Sequence, residues 1–305
     1  MKSRLRPIAM LLAGMLCAAA AAAEPAPEAY SFSGVPLPRP EVAVEVRAET
    51  YERIAELEAK AAKTEEDFLT LGYLYVEVGR FQGAIDAYGR GLEAHPDSFR
   101  LLRHRGHRYL NTRQLERARA DLERARVLLE AEDDPAVPEY RLSGTAFGTY
   151  EHWIWYHLGL YRYLTGDPGG AAEAFRRCVD TATQDSFRVG ATDWLWNSLQ
   201  KAGRPEEAAA ALAALPDELD VPDGYPYLQR IRVYRGELDP MTLLDLDEPG
   251  SEWTGRDVTL GYGIAHWLRL QGDAARAERI HAHILASDAW NLWAYVATER
   301  EQAER

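Results

Sequence analysis

Residues 100–108 read Arg-Leu-Leu-Arg-His-Arg-Gly-His-Arg. Wound as a helix, this segment puts Arg100, Arg103, His104 and His107 on one side, at offsets of three and four residues. Guanidinium groups grip carboxylate or phosphate through paired, charge-assisted hydrogen bonds, so the chemistry of such a face is anion recognition. Two other readings stay open. One is a solvated basic face paired with nearby Glu116, Asp121 or Glu123, and the other is a structural network that holds an inserted loop. His104 and His107 also have the spacing of a metal pair. The arginines around them repel a dication, so no metal is expected. His152 and His157 are five apart and are not expected to share a face.

Nucleophile chemistry has little support. Ser143, Ser186 and Ser198 lack a G-x-S-x-G context, and no H-E-x-x-H, C-x-x-C pair or Gly-rich phosphate loop is present. No cofactor and no catalytic residue are expected. A dense aromatic stretch, Trp153-Ile154-Trp155-Tyr156-His157-Leu158, offers apolar contact instead.

The elements that must position these residues recur every 34 residues. Gly72 and Gly106, Tyr75 and Tyr109, and Ala84 and Ala118 all share that interval. Small, aromatic and helix-stopping residues at fixed offsets with this period mean stacked helix hairpins. Gly72 and Ala84 let two antiparallel helices approach closely, Gly79-Arg80 ends the first helix, and Pro96-Asp97 ends the second.

In residues 65–98 the order Phe68, Leu71-Gly72, Tyr75, Ala84, Tyr88, Pro96 resembles the tetratricopeptide repeat family. Residues 99–132 keep Leu102, Gly106, Tyr109, Ala118, Leu122 and Ala125, with Arg105 where the family has a core leucine. Residues 152–185 keep Trp155, Leu158-Gly159, Gly166, Ala171, Phe175 and Cys178. Weaker units fall at about 189–221, 222–257 and 258–291, and a helix from about Ala289 closes the array. The resemblance also extends to exported bacterial proteins of this family whose function is unassigned. It implies an all-α, right-handed α-solenoid of helix hairpins over residues 48–305.

The resemblance also implies which residues line a concave groove, because first-helix positions face it. They are Arg100, Arg103, His104 and His107 in the second repeat, and Trp153, Tyr156 and His157 in the third. Asp193, Trp194 and Asn197 follow in the fourth, and Tyr262 and His266 in the last. Such a groove is basic and aromatic, suited to a peptide or protein segment carrying acidic groups. The aromatic residues have an alternative role, packing under the loop inserted at about 133–149. A competing reading is a small-anion receptor, or a hydrolase that pairs His157 with Asp193, and a third is a scaffold whose acidic convex face meets its partner. Cys178 falls where the family faces its helix interface.

The flanks set the context. Lys2, Arg4 and Arg6, an apolar run from Ile8 to Leu16, and Ala21-Ala22-Ala23 make residues 1–23 a secretory signal peptide. Residues 24–47 hold five prolines and read as a linker or extended arm. Loss of the leader would leave one cysteine, so no intramolecular disulfide is expected. The formal charge is −13, which repels nucleic acid on average. No other stretch is apolar enough to span a bilayer. The expected location is the periplasm or the outside of the cell.

Overall fold

A computed structural model describes residues 26–42 and 44–304. The expected leader, residues 1–23, lies outside them. The described chain is an all-α solenoid of tetratricopeptide-like helix hairpins. Helix α1 (Val44–Glu58) precedes the pairs α2 (Glu65–Glu77) with α3 (Phe81–Ala94), and α4 (Phe99–Asn111) with α5 (Leu115–Glu130). Then come α6 (Tyr150–Leu164) with α7 (Pro168–Asp180), and α8 (Asp185–Lys201) with α9 (Pro205–Ala213). Helix α10 (Pro226–Tyr234) is followed by short 3-10 turns in place of a full partner helix. The array ends with α11 (Gly255–Leu270), α12 (Ala274–Ala286) and α13 (Trp293–Ala303). Two small antiparallel hairpins complete it: β1 (Ala29–Tyr30) with β2 (Pro36–Leu37), and β3 (Pro138–Tyr140) with β4 (Ala146–Thr149).

Local chemistry explains the helix starts. Thr64 and Asp67 form a reciprocal capping box ahead of α2, and Thr254 with Asp257 repeats it ahead of α11. Ser98 and Thr149 cap α4 and α6 by accepting from the third backbone N–H. In the hairpins α2–α3, α4–α5 and α6–α7 a first-helix glycine meets a large side chain 16 residues on. A Cβ at Gly72 would lie 2.1 Å from the Tyr88 ring, at Gly106 2.8 Å from Leu122, and at Gly159 2.9 Å from Phe175. Arg105, where leucine fits the repeat, lies instead on the flank of its hairpin, doubly bonded to Asp121 at 2.7 and 2.8 Å.

The solenoid does not stay open. The turn between α2 and α3 uses Gly79 at φ 71°, and the equivalent position 34 residues later is Arg113, at φ 62°. Left-handed backbone costs a non-glycine residue roughly 1–2 kcal/mol. Arg113 is held there by what its side chain grips. Its Nε donates to Glu299 at 2.8 Å and its Nη2 to the Trp290 carbonyl at 2.8 Å. Asn111 Nδ2 donates to the Asn291 carbonyl at 2.8 Å, and the Phe81 and Trp290 rings meet at 5.1 Å. The second repeat is therefore clamped to the end of the chain.

The proline-rich arm completes this closure. It folds as the β1–β2 hairpin and stays out of the concave interior. Trp290 Nε1 donates to the Pro38 carbonyl at 2.9 Å, while Glu28 accepts from the Gln82 backbone N–H at 2.9 Å. Ala29 and Leu37 join the main core.

Candidate ligand-binding site

The first helices of the repeats face inward, and closure of the solenoid presses them together. Much of the expected groove is thereby converted into core. Asp193, Trp194 and Asn197 on α8 are fully buried. Asp193 pairs with buried Arg230 at 2.7 Å, and Arg230 Nε donates to the Tyr234 hydroxyl at 3.0 Å. Asn197 Oδ1 meets His266 Nδ1 at 2.7 Å. Trp194 stacks on Phe175, and Tyr262 donates to Glu301 at 2.9 Å. Burial pushes the Asp193 carboxyl up to about 6, against the pull of Arg230. These residues form a structural network, where the groove reading has them meet ligand.

Two hollows lie under the inserted segment. Its β3–β4 hairpin roofs the inner faces of α2, α4 and α6, leaving two adjoining chambers of about 380 and 440 Å³. Arg103, His107, Arg141 and Phe147 line both, so they form the boundary between the two.

The first chamber holds the buried charged groups. Glu139 on β3 reaches down, pairs with Arg103 Nη2 at 3.2 Å and accepts from the Tyr73 hydroxyl at 3.1 Å. Arg103 Nη1 donates to His104 Nδ1 at 2.8 Å, because a guanidinium has no lone pair to offer. His104 therefore carries its proton on Nε2, 3.2 Å from the Tyr73 hydroxyl. Arg103, His104 and Glu139 are almost wholly buried. Burial, reinforced by the charge of Arg103, holds the His104 imidazolium well below the usual histidine range. Burial likewise raises the Glu139 carboxyl, with Arg103 opposing.

Arg108 and Arg141 differ from Arg103. Both line the first chamber, and neither pairs with a carboxylate among the described residues. Arg108 donates only to the neighbouring His107 Nδ1, and burial brings its guanidinium down to about 10, so it stays charged at neutral pH. Arg141 lies over the Phe147 ring at 3.9 Å.

The second chamber is aromatic. Trp153 donates from its indole to the Phe147 carbonyl and packs edge-on against Phe187 at 5.1 Å. Tyr156, Tyr225, Tyr227 and Trp293 supply further walls. His157 Nδ1 donates to the Trp153 carbonyl at 2.6 Å, and its ring lies 4.1 Å from that of His107. His152, five residues before His157, reaches the same chamber despite its spacing. Its Nδ1 donates to the Cys178 carbonyl at 3.1 Å, which leaves Nε2 as an acceptor. That buried nitrogen has no hydrogen-bond partner among the described residues, and neither does Arg103 Nε. Burial holds the His152 imidazolium down to about 4.

Of the residues read from the sequence, the structure brings Arg103, His104, His107, Trp153, Tyr156 and His157 to these chambers. Arg100 stands outside, 4.0 Å from Glu66 and over the Tyr150 ring at 5.7 Å. His157 and Asp193 do not form a dyad, since each is engaged elsewhere. The ring nitrogens of His104 and the Nδ1 of His107 already meet arginine or tyrosine donors and acceptors. No group of three or more metal-ligating side chains occurs among the described residues. Sequence reasoning missed Arg108, Arg141, Glu139 and Phe187. Only Arg108 carried a local signal, as the last cation of the basic run.

No protein-family model matches the chain, and no curated protein does. Among solved structures it is similar to MamA, at 19% identity over 55% of this chain and 82% of that one, TM-score 0.41. It is similar to BtubC from P. vanneervenii at 15% identity, over 65% and 77%, TM-score 0.44. A tetratricopeptide repeat protein from Parabacteroides merdae aligns at 14% identity over 78% and 90%, TM-score 0.45. Likeness at this level carries nothing about ligand or partner. No helix among the described residues is long and apolar enough to cross a membrane.

Proposed function

We propose that this chain is an exported binding protein that captures a short acidic segment of a peptide or protein under the β3–β4 hairpin. The observation that carries the reading is Arg108. It is a charged side chain at the wall of a hollow, with no carboxylate of its own. Arg108 is half-buried and its direct contacts, His107 Nδ1 and the Phe81 ring, carry no negative charge, so an arriving anion would supply the counter-charge it lacks at hydrogen-bond range. Arg141 stands at the boundary of both chambers as a second cation. Glu139 neutralises Arg103, so the anion-seeking character passes from the sequence-read Arg103 to Arg108 and Arg141.

The roofed form of the site favours one further reading, a small-anion receptor. Chambers of roughly 300–1,000 Å³ are the usual size for small-molecule sites. Binding is favoured over hydrolysis because His157 and Asp193 are each committed to other partners. Export to the periplasm or beyond is supported by the basic, apolar and small-residue order of residues 1–23. The acidic whole-chain charge supports a partner other than nucleic acid.

The test is calorimetric titration of the mature chain with acetylated acidic peptides and with small carboxylates, on the wild type and on Arg108→Met. Binding should weaken roughly tenfold or more in the variant, while its melting temperature holds or rises as the unpaired cation is removed. Peptides that bind while small acids do not favour the peptide reading, and the reverse favours the receptor. Equal binding by wild type and variant, or no anion binding at all, would sink the proposal.

A further inference from the structure

We infer that the ligand is an aryl carboxylate, an aromatic ring joined by a few bonds to a carboxylate, lying across both chambers. The inference rests on the anion reading above and goes further by naming what the anion is attached to.

Three observations converge. First, the two chambers are one path. Arg141 and Phe147 border both, so a group held by Arg141 or Arg108 is within a short linker of the aromatic space. Second, that space suits a flat ring. Trp153, Phe187, Tyr156 and Tyr225 present faces and edges around about 440 Å³. Aromatic rings prefer offset or edge-on neighbours. Among the described residues no carboxylate lines this chamber, whereas Arg103 and Arg141 do. The charge balance therefore opposes an organic cation, which aromatic walls alone would also accept.

Third, His152 Nε2 is a buried acceptor on a residue of the aromatic chamber, without a partner among the described residues. Leaving such a group unpaired is unfavourable. A ring bearing its own O–H or N–H, a phenol or an indole, would satisfy it. The carboxylate at Arg108 and Arg141 and the donor at His152 together fix the ligand's direction: acid under the β3 end of the hairpin, ring toward α6 and α8. The same chemistry has two sources, a free aromatic acid and a peptide ending in tyrosine or tryptophan with its terminal carboxylate.

The experiment is isothermal titration of the full mature chain with four blocked amino acids. These are N-acetyltyrosine, N-acetylphenylalanine, N-acetyltyrosine amide and N-acetylglutamate. An acidic peptide without aromatic residues is included, as is a peptide ending in a free-carboxylate tyrosine. N-acetyltyrosine should bind several-fold tighter than N-acetylphenylalanine, and roughly tenfold or more tighter than its amide and than N-acetylglutamate. Arg141→Gln, at an exposed position, should remove the preference for acid over amide. Phe187→Leu should remove the preference for tyrosine over glutamate. Whichever of the free acid and the tyrosine-ended peptide binds tighter identifies the source. If the non-aromatic acidic peptide binds as tightly as N-acetyltyrosine, the aryl inference falls and the anion reading stands. If the amide matches the acid, the carboxylate half falls. If no carboxylate binds, the anion reading fails and takes this inference with it.

Discussion

Glu139 and Arg103 face each other at 3.2 Å, one from the inserted hairpin and one from α4, and both side chains are buried. The pair is a charged tie between the roof and the solenoid. Removing one member of a buried pair strands the other charge, at a cost of roughly 3–5 kcal/mol. Glu139→Ala should lose about that much in urea unfolding. The double variant Arg103→Met with Glu139→Leu should recover most of it, because an apolar replacement of a buried pair is often neutral or better. A Glu139→Ala loss below about 1 kcal/mol would mean that water already enters the network.

Stability should fall on mild acidification. Burial is the first cause of the lowered imidazolium at His104, His107 and His157, and at His152 and His266, which lie at about 4 and about 3. In the unfolded chain a histidine titrates near 6.5. Below that pH the unfolded state therefore binds more protons, and each of these residues withdraws about 1.4 kcal/mol of stability per pH unit down to its folded value. Asp193, raised to about 6, acts in the opposite sense below about pH 6, and the raised Glu139 acts in that same opposite sense as it takes up its proton. Five histidines outweigh two carboxylates, so the melting temperature should drop between about pH 6.5 and pH 5. A flat melting profile across that window would show that the histidines are solvated in solution.

Arg113 gives a two-sided expectation. Arg113→Ala keeps the left-handed backbone strain and leaves Glu299 without its guanidinium, so it should cost roughly 3–5 kcal/mol. Arg113→Gly loses the same grip but relaxes the φ of 62°, so it should be about 1 kcal/mol less damaging. Chemical unfolding of the two variants decides it. If alanine is the milder change, the strain assigned to this turn is absent.

The helix hairpins were legible because they are local. Gly72 and Tyr88 lie 16 residues apart and their contact repeats along the chain, so spacing alone exposes the pair. The inward direction of Arg103, His104 and His107 was legible for the same reason. What those residues meet was not. Glu139 arrives from an insertion that breaks the period, and nothing in its neighbourhood marks it as the partner of Arg103. The closure was equally hidden. Arg113 and Glu299 are 186 residues apart, and their meeting depends on the summed rotation of every intervening hairpin. An open groove is the natural expectation when that sum is unknown. The burial of Asp193, Trp194 and Asn197 follows directly from the missing term.

The clamp of Arg113 on Trp290 and Glu299, backed by the β1–β2 arm, makes the solenoid a hoop. A linear repeat array frays from its terminal units and flexes like a spring, because each repeat holds only its neighbours. A hoop has no free terminal unit, and its circumference is fixed by the number of hairpins it contains. Its interior cannot widen by a change of pitch to accept a larger guest. In the proposed function, adjustment to a ligand would be left to the roof, the short β3–β4 hairpin, held on the frame by Glu139 at one end and by Phe147 against Trp153 and Phe187 at the other. The solenoid forms the frame, and in the proposed function selection would fall to its lid.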